Sequence, residues 1–282
     1  MRYKLGLIGH PIGHSLSPWI HKHFLDLAGL DGEYKLYEGD HQQLPNVLKY
    51  LKQEGIDGFN VTVPYKQMIV DFLDEIDEDA RILGAVNTVV LQNGKWKGYS
   101  TDGAGYIRSL TDPFPNLLNK NTSVLLLGAG GAARGIYRAL IQEEIGRVDI
   151  ANRSVVKAEQ LIASMRFPGV DTQVLTFQEA EEYLGHYDLI IQTTSVGMKP
   201  HVDQQVLSLE NLSADTVVSD IVYQPIMTQL LQDASDRGAS IHHGHAMLLY
   251  QGQLAFEKWT GQSLEIHHLV DELEKKLRGE NS

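Results

Sequence analysis

A glycine-rich turn between an apolar strand and a helix places the strongest constraint on the fold of this 282-residue chain. Residues 123–127 (SVLLL) are apolar after the first position, as in a strand buried on both faces of a parallel sheet. The turn Gly128-Ala129-Gly130-Gly131-Ala132-Ala133-Arg134 follows and opens a predicted helix over 131–143. Its G-x-G-x-x-A spacing lets backbone N–H groups approach a pyrophosphate at a helix N-terminus. The sequence therefore predicts a dinucleotide-binding βαβ unit.

The end of the next predicted strand, 147–151, bears on which dinucleotide is bound. An acidic residue at that tip would bind the ribose hydroxyls and repel a 2′-phosphate. Asp149 lies 21 residues after Gly128 and is one candidate, but we place it inside the strand, because Ile150 and Ala151 continue it. The tip is Asn152-Arg153-Ser154, and the planar guanidinium of Arg153 suits a 2′-phosphate. This pattern favours NADP over NAD.

Short β-rich runs alternate with amphipathic stretches along the whole chain, which predicts an α/β fold. Before the glycine-rich turn, strands are predicted at 3–8, 33–38, 58–63, 85–92 and 95–100, with a hairpin turn at Asn93-Gly94. The helices there are 18–28, with Ser17 as N-cap, and a segment around 44–51. After the turn, strands are predicted at 171–175, 187–192 and 216–220, and helices at 155–165, 246–258 and 265–277. We expect two domains, residues 1–102 plus 246–282 and residues 103–245.

The composition narrows the possible partners. The chain has 24 basic and 36 acidic residues and a formal net charge of −12, which argues against nucleic acid. It contains no cysteine, so disulfides, thiolate catalysis and cysteine-ligated zinc are excluded. Neither a signal core nor an apolar run long enough to span a membrane is present, and we expect a cytoplasmic protein without membrane contacts.

Polar residues collect at predicted strand ends in the first domain. They are hydroxyls, amides, one cation and one carboxylate, at Ser15, Ser17, Asn60, Thr62, Lys66, Asn87 and Asp102. Taken singly, each has a structural explanation, such as a helix cap, a polar sheet face or a surface lysine. Taken together, they suit a polyhydroxylated carboxylic acid.

Motifs along the whole chain resemble the shikimate dehydrogenase family. The matching segments, besides the 128–134 loop and Asn152-Arg153-Ser154, are Gly9–Pro18 (GHPIGHSLSP), Asn60–Lys66 (NVTVPYK), Gly84–Thr88 (GAVNT), Thr101–Gly103 (TDG), Thr194–Met198 (TSVGM), Asp220–Pro225 (DIVYQP) and Gly244–Gln251 (GHAMLLYQ). The resemblance implies a substrate domain joined to a Rossmann-type, doubly wound NADP-binding domain, with a cleft between them.

The resemblance also implies roles for individual residues. Lys66 and Asp102 would form the catalytic pair. The substrate would be bound by Ser15, Ser17, Asn60, Thr62, Asn87, Tyr223 and Gln251. The cofactor NADP would be bound by Gly128, Ala129, Gly130, Gly131, Ala132, Asn152, Arg153, Ser154, Thr194, Ser195, Ile221, Gly244 and Met247. No metal is expected, because no carboxylate stands beside the His242-His243-Gly244-His245 cluster.

The implied reaction is the reversible, NADP-dependent reduction of 3-dehydroshikimate to shikimate, in chorismate and aromatic amino-acid biosynthesis. A hydride that reaches a ring ketone leaves charge on oxygen, and Lys66 could supply the proton while Asp102 orients it. A quinate/shikimate dehydrogenase using NAD or NADP, a non-catalytic NADP-binding regulator and a bare dinucleotide-binding module are the alternatives. We expect a monomer or homodimer that acts on a small molecule. One departure from the family pattern is Gln192-Thr193, where asparagine and alanine are usual.

Overall fold

The computed structural model describes residues 2–39, 43–165 and 169–280. It divides into two compact units: Met1–Gly105 with Gln251–Glu265, and Tyr106–Tyr250 with Ile266–Ser282. The chain passes between the units within two helices and again just before the last helix. Within the described ranges, no helix is long and apolar enough to cross a membrane.

The first unit is built on a mixed six-stranded sheet. Its elements are β1 (Tyr3–Gly9), α1 (Ser17–Ala28), β2 (Gly32–Glu38), α2 (Leu44–Glu54), β3 (Gly58–Val61), a 3₁₀ helix (Met68–Phe72), β4 (Glu75–Ile76), α3 (Glu78–Leu83), β5 (Thr88–Gln92), β6 (Lys95–Tyr99) and the start of α4 (Asp102–Thr111). The strand order is β2-β1-β3-β5-β6-β4. Strand β1 is parallel to β2 and β3, whereas β5 is antiparallel to both of its neighbours.

Local sequence explains two features of this unit. Asn93 and Gly94 have φ values of 52° and 76° between paired Gln92 and Lys95, which is the positive-φ turn that a two-residue hairpin favours. The predicted N-cap of α1 was wrong: the helix begins at Ser17 itself, and Leu16 occupies the cap position. The reason is that the Ser15 hydroxyl already accepts the Ser17 N–H, at 3.2 Å, one residue before the predicted start.

The second unit is built on a six-stranded parallel sheet. Its elements are β7 (Ser123–Leu127), α5 (Gly131–Gln142), β8 (Arg147–Ala151), α6 (Val155–Ser164), β9 (Val174–Leu175), α7 (Phe177–Tyr183), β10 (Leu189–Gln192), β11 (Val217–Asp220), α8 (Gln229–Asp236), β12 (Ser240–His243), the start of α9 (Gly244–Thr260) and α10 (His267–Arg278). The strand order is β12-β11-β10-β7-β8-β9. Strands β7 to β9 follow one another towards one edge of the sheet and β10 to β12 towards the other, so the winding reverses between β7 and β10. In such doubly wound sheets, ligands bind outside the carboxyl ends of the strands at this reversal. The predicted Rossmann-type fold is confirmed.

The last helix groups with the second unit, whereas the sequence predicted it with the first. The predicted limits at Met1 and at residues 281–282 lie outside the described residues. Asp112, just after α4, accepts hydrogen bonds from Tyr250 at 2.6 Å and from His267 at 2.9 Å. These bonds hold the first turn of α10 against elements of the second unit. Such a contact between residues far apart in the chain cannot be predicted from helical periodicity.

Candidate active site

Lys66 and Asp102 form an ion pair in the first unit. Lys66 follows β3, and Asp102 is the first residue of α4. The Lys66 Nζ donates to Asp102 Oδ2 at 2.6 Å, and the other carboxylate oxygen accepts from Asn87 Nδ2 at 2.8 Å. The two side chains are 33% and 23% exposed. The pair is therefore held in place on the protein side while remaining accessible to a ligand.

Asn87 connects this ion pair to the helix that carries Gln251. Its Nδ2 group lies 2.9 Å from Thr101 Oγ1 and 3.4 Å from Gln251 Oε1, and its Oδ1 accepts the Thr101 N–H at 2.8 Å. The Thr101 hydroxyl donates to the Gln251 carbonyl at 3.1 Å. A Cβ atom on Gly105 would lie 2.6 Å from the Gln251 backbone, so the missing side chain of glycine permits this close packing. The structure thus brings Lys66, Asn87, Asp102 and Gln251 together.

Asn60 lies on β3, as predicted, and its side chain is hydrogen-bonded within the first unit. Its Oδ1 accepts from Tyr34 at 2.8 Å and from His21 at 3.1 Å, and its Nδ2 donates to the Asn87 carbonyl and Thr88 Oγ1, both at 3.2 Å. Both ends of the amide are therefore used inside the protein, and the side chain is only 5% exposed. This amide links strands β3 and β5 beside Asn87.

His21 and Tyr34 complete this buried polar layer. Burial lowers the pKa of His21 to about 3, against the opposing hydrogen bond to Asn60, so the ring is neutral. Because Asn60 Oδ1 can only accept, His21 donates through Nε2. Burial raises the pKa of Tyr34, with a hydrogen bond from Ser17 acting in the opposite direction.

Ser15, Ser17 and Thr62 lie at the carboxyl ends of two neighbouring strands. The Ser15 hydroxyl, in the loop after β1, donates to Ser17 Oγ, on the first residue of α1, at 3.1 Å. Thr62 follows β3, and its N–H donates to the Ile8 carbonyl at 2.9 Å. Strands β1 and β3 are parallel, so both polar groups belong to the same edge of the sheet.

The glycine-rich turn of the second unit has the geometry that a pyrophosphate site needs. Gly128 has φ +115°, and a Cβ there would lie 2.7 Å from Thr193 Oγ1, so both conformation and space require glycine. A Cβ at Gly130 or Gly131 would meet no other atom within 4 Å, because both face open space at the start of α5. Ala129 and Ala132 lie half-buried in the same turn. Small residues, open space and free helical N–H groups fit a bound dinucleotide.

The structure separates the two candidates for the ribose. Asp149 is fully buried in β8, where it accepts from Arg147 at 2.8 Å, the Gln173 N–H at 2.9 Å and the Tyr187 hydroxyl at 2.6 Å. It therefore does not reach the strand tip. Arg153 is exposed at that tip, in a turn held by a 2.8 Å hydrogen bond from Asn152 Nδ2 to the Ser154 carbonyl.

Two cavities flank the turn that carries Thr194 and Ser195, which line both of them. One, of about 520 Å³, is also lined by Asn152, Arg153, Phe177, Val196, Gln204, Gln205 and Val206. The other, of about 370 Å³, is also lined by Thr193, Met198, Lys199, Ile221, Val222, Tyr223 and Gln224. Burial raises the pKa of Tyr223. Arg153, the residue predicted to bind a 2′-phosphate, thus lines the first cavity, and Ile221 and Tyr223 line the second.

Gly244 and Met247 begin α9 beside the second cavity. A Cβ on Gly244 would lie 2.4 Å from the Ile221 carbonyl oxygen, so glycine is required for this contact. Met247 is half-buried on the next turn.

The neighbouring His242 bonds to Ser219 at 2.8 Å and to the Ser109 carbonyl at 3.0 Å. Within the described part of the chain, no group of three or more metal-ligating side chains could hold an ion.

Comparisons with known proteins agree along the chain. Family profiles match for the shikimate dehydrogenase substrate binding domain over residues 7–89, and for shikimate/quinate 5-dehydrogenase over residues 113–223. The shikimate dehydrogenase (NADP(+)) of Oceanobacillus iheyensis is 47% identical over 281 residues, covering 99% of this chain and 100% of the relative.

Solved structures give the same result. Shikimate 5-dehydrogenase of Listeria monocytogenes, in complex with shikimate and NAD, has a TM-score of 0.89 and 31% identity, with coverage of 98% of this chain and 96% of that chain. The Thermus thermophilus enzyme, in complex with NADP(H) and shikimate, has a TM-score of 0.85 and 29% identity, with coverage of 99% and 100%.

A parallel sheet with a dinucleotide turn, together with a second sheet that carries a lysine–aspartate pair, defines a nicotinamide-dependent dehydrogenase. The matches extend over nearly the whole chain and nearly the whole of its relatives. The chain belongs to the shikimate dehydrogenase family.

Proposed function

We propose that this enzyme catalyses the reversible NADP-dependent reduction of 3-dehydroshikimate to shikimate. The observation that carries the proposal is the accessible Lys66–Asp102 ion pair, held by Asn87 beside Gln251. Residues 2–105 with 251–265 supply the substrate site, and residues 106–250 supply the cofactor site. This division follows the two compact units and the two matching family domains.

Lys66 acts as the proton donor in reduction. NADPH, when bound, would supply the hydride, and the ketone oxygen would then gain negative charge. The Lys66 ammonium stabilises that charge and transfers a proton to the oxygen, and in the oxidative direction the neutral amine takes the proton back. Asp102 holds the ammonium through Oδ2 and is itself held by Asn87 through Oδ1, so the donor has one defined position.

The remaining polar groups of the first unit bind the substrate. Ser15, Ser17 and Thr62, at one sheet edge, provide hydroxyls for a carboxylate, while Asn87 and Gln251 reach ring hydroxyls beside the ion pair. Tyr223 contributes from the second unit's cavity. Asn60 borders this site, where it accepts from Tyr34 and donates to the Asn87 carbonyl.

The cofactor is bound by three groups of residues. The turn from Gly128 to Ala132 takes the pyrophosphate on its backbone N–H groups. Arg153, with Asn152 and Ser154, takes the 2′-phosphate, because Arg153 lines the cavity at the strand tip and its planar guanidinium suits a phosphate. The nicotinamide end is bordered by Thr194, Ser195, Ile221, Gly244 and Met247.

A four-way assay tests the proposal. Absorbance at the reduced nicotinamide band is followed with shikimate or quinate, each with NADP or NAD. We expect turnover with shikimate and NADP to exceed the other three combinations by more than about tenfold in kcat/KM, the discrimination that one charge-assisted contact supplies. Lys66→Met should abolish most of that turnover, whereas Lys22→Met, on an exposed face of α1, should not. Preference for quinate or NAD would overturn the assignment of substrate or cofactor.

A further inference from the structure

Two buried polar side chains end neighbouring strands of the second unit. Gln192 closes β10 and Asp220 closes β11, and they are partners in the sheet register. They are 1% and 0% exposed. Both stand at the carboxyl edge of the parallel sheet, where a doubly wound fold binds its ligand. Neither belongs to the site predicted from the sequence.

Each side chain turns back onto the loop that follows its own strand. Gln192 Nε2 donates to the Val196 carbonyl at 3.0 Å. Asp220 Oδ1 accepts the Val222 N–H at 2.9 Å, and Oδ2 accepts the Thr228 hydroxyl at 2.7 Å. The Asp220 carboxylate thus clamps the segment 221–228 at both of its ends.

Thr228 transmits this clamp to the next helix. Its hydroxyl oxygen accepts the Leu231 N–H at 3.3 Å as the N-cap of α8. At the other end, the Ile221 N–H donates to the Gln192 carbonyl at 3.1 Å, and the Ile221 carbonyl contacts Gly244 closely. The segment is therefore anchored to β10, to α8 and to the first residue of α9.

The clamped segment carries Ile221 and Tyr223, which line the cavity of about 370 Å³. Burial raises the pKa of Asp220 to about 7, against the two hydrogen bonds that lower it. An ionisable group kept fully buried at such a position is unfavourable for stability unless its contacts offset the loss of solvation. The contacts it makes are those that shape this cavity wall.

We propose that Asp220 is a positioning residue, which sets the place of Ile221 and Tyr223 at the nicotinamide and substrate end of the cofactor site by clamping residues 222 and 228. This inference rests on the proposed function for those two residues. Asp220 touches neither substrate nor cofactor and acts only through the segment that it holds.

The substitutions Asp220→Ala and Asp220→Asn separate positioning from charge. The alanine variant loses both hydrogen bonds. The asparagine variant keeps both, since its carbonyl accepts the Val222 N–H and its amide donates to Thr228, whose hydroxyl can reverse its role. We expect kcat to fall about 10- to 100-fold in Asp220→Ala, as for a small misplacement of reacting groups, and to stay within about threefold in Asp220→Asn.

Cofactor affinity provides the internal reference. Fluorescence titration of Asp220→Ala with NADP should give a Kd within about threefold of the wild type, because the Gly128 turn and Arg153 hold the charged phosphates and only the nicotinamide end, at Ile221, is displaced. Asp149→Ala is the matched control, since that carboxylate is equally buried in the same sheet and lines neither cavity. It should lower Tm while leaving kcat of the folded enzyme within about twofold.

Amide hydrogen exchange tests the clamp without catalysis. Exchange at residues 222–228 should speed up in Asp220→Ala and not in Asp220→Asn. If the wild type fails to oxidise shikimate, the proposed function fails, while this measurement still decides the clamp. The inference is overturned if Asp220→Ala keeps kcat within about twofold of the wild type. It is equally overturned if exchange is unchanged, or if Asp220→Asn is as damaged as Asp220→Ala.

Discussion

The Lys66 ammonium nitrogen lies 2.6 Å from Asp102 Oδ2, although the two residues are 36 positions apart in the chain. Lys66 belongs to the turn after β3, and Asp102 begins α4. The backbone N–H of Val86 donates to the Lys66 carbonyl at 2.7 Å, so the chain just before Asn87 also holds the lysine. A proton donor held at both its backbone and its ammonium group spends little entropy on alignment when the substrate arrives.

Removal of the Lys66 ammonium should mainly lower kcat. General acid–base groups contribute about 10²–10⁴-fold, so Lys66→Ala should lose activity of that order, with KM changed much less. Steady-state kinetics on folded protein, checked by circular dichroism, measure this effect. A folded variant that keeps more than about half of its kcat would remove Lys66 from the chemistry.

The Lys66→Ala and Asp102→Ala effects should not add. The two side chains act as one unit, so the double variant should be only slightly slower than the worse single variant. Steady-state kinetics on the two single variants and the double variant give the coupling free energy between the two side chains. Simple additivity of the two free-energy losses would show that Asp102 acts independently of the ammonium.

Arg153→Ala should weaken NADP binding by about 1.5–3 kcal/mol, the scale of a charge-assisted hydrogen bond, and barely affect NAD. Titration of each cofactor by fluorescence measures the two affinities. Lys157→Ala, which removes a neighbouring exposed cation on α6, should change both by less than about twofold. Equal losses for NADP and NAD in Arg153→Ala would contradict a role in 2′-phosphate binding.

Ser15→Ala and Thr62→Val should raise KM for shikimate roughly tenfold, because each removes a hydrogen bond made to bound substrate before and during reaction. Their kcat values should stay near the wild type. Ser208→Ala, at an exposed site in the second unit, serves as the control. A collapse of kcat at constant KM would instead assign these hydroxyls to the transition state.

His245 should make the fold sensitive to mild acid. It is 3% exposed, and neither ring nitrogen has a hydrogen-bond partner among the described residues. Burial, assisted by His243, lowers its pKa to about 4 against the attraction of Glu274. Because the unfolded chain takes up a proton below about pH 6.5 and the folded one does not, stability should fall as the pH falls from about 6.5 towards 4.

Substitution isolates this contribution. Urea unfolding at about pH 7 and about pH 5 should show that His245→Leu removes about 2 kcal/mol of the acid-induced loss. Burial also lowers the pKa values of His21 and His242, so the free energy of unfolding of the variant should still fall in part between about pH 7 and about pH 5. His268 is exposed on α10, so His268→Leu is the control and should leave the pH dependence of the free energy of unfolding unchanged. An unchanged slope in His245→Leu would show that the ring is already charged or solvated in the folded state.

Several elements were missed because they are short or lack apolar periodicity. They include α3, α7 and α8, together with β4 and β12. Helix α7 did carry a readable signal: Thr176 and Glu179 form a capping box, with the Thr176 N–H on the Glu179 carboxylate at 2.7 Å. The start of α4 at Asp102 was predicted as the end of the hairpin, and it lacks a capping box, because Ala104 stands three residues after Thr101.

The contacts of buried polar side chains were also not predicted from the sequence. Asn60 is predicted to bind substrate, Gln192 is noted only as a departure from the family pattern, and Asp220 only as part of a motif. A polar residue at a strand end can turn towards a ligand or back onto its own loop, and both choices have the same local sequence pattern. Hydrogen bonds to residues 27 positions away, as from Asn60 to Asn87, decide between them.

Local patterns in the sequence determined most of the strands, the long helices, the Asn93-Gly94 hairpin and the dinucleotide turn, because each depends on neighbouring residues and on fixed backbone preferences. They also placed Asp149 inside β8 and Arg153 at its tip, as the structure has them. Only the tertiary structure decided that Lys66, Asn87, Asp102 and Gln251 meet, and that α10 groups with the second unit. Such meetings depend on how sheets and helices pack over long sequence separations, and no local period of about 2 or 3.6 residues encodes that packing.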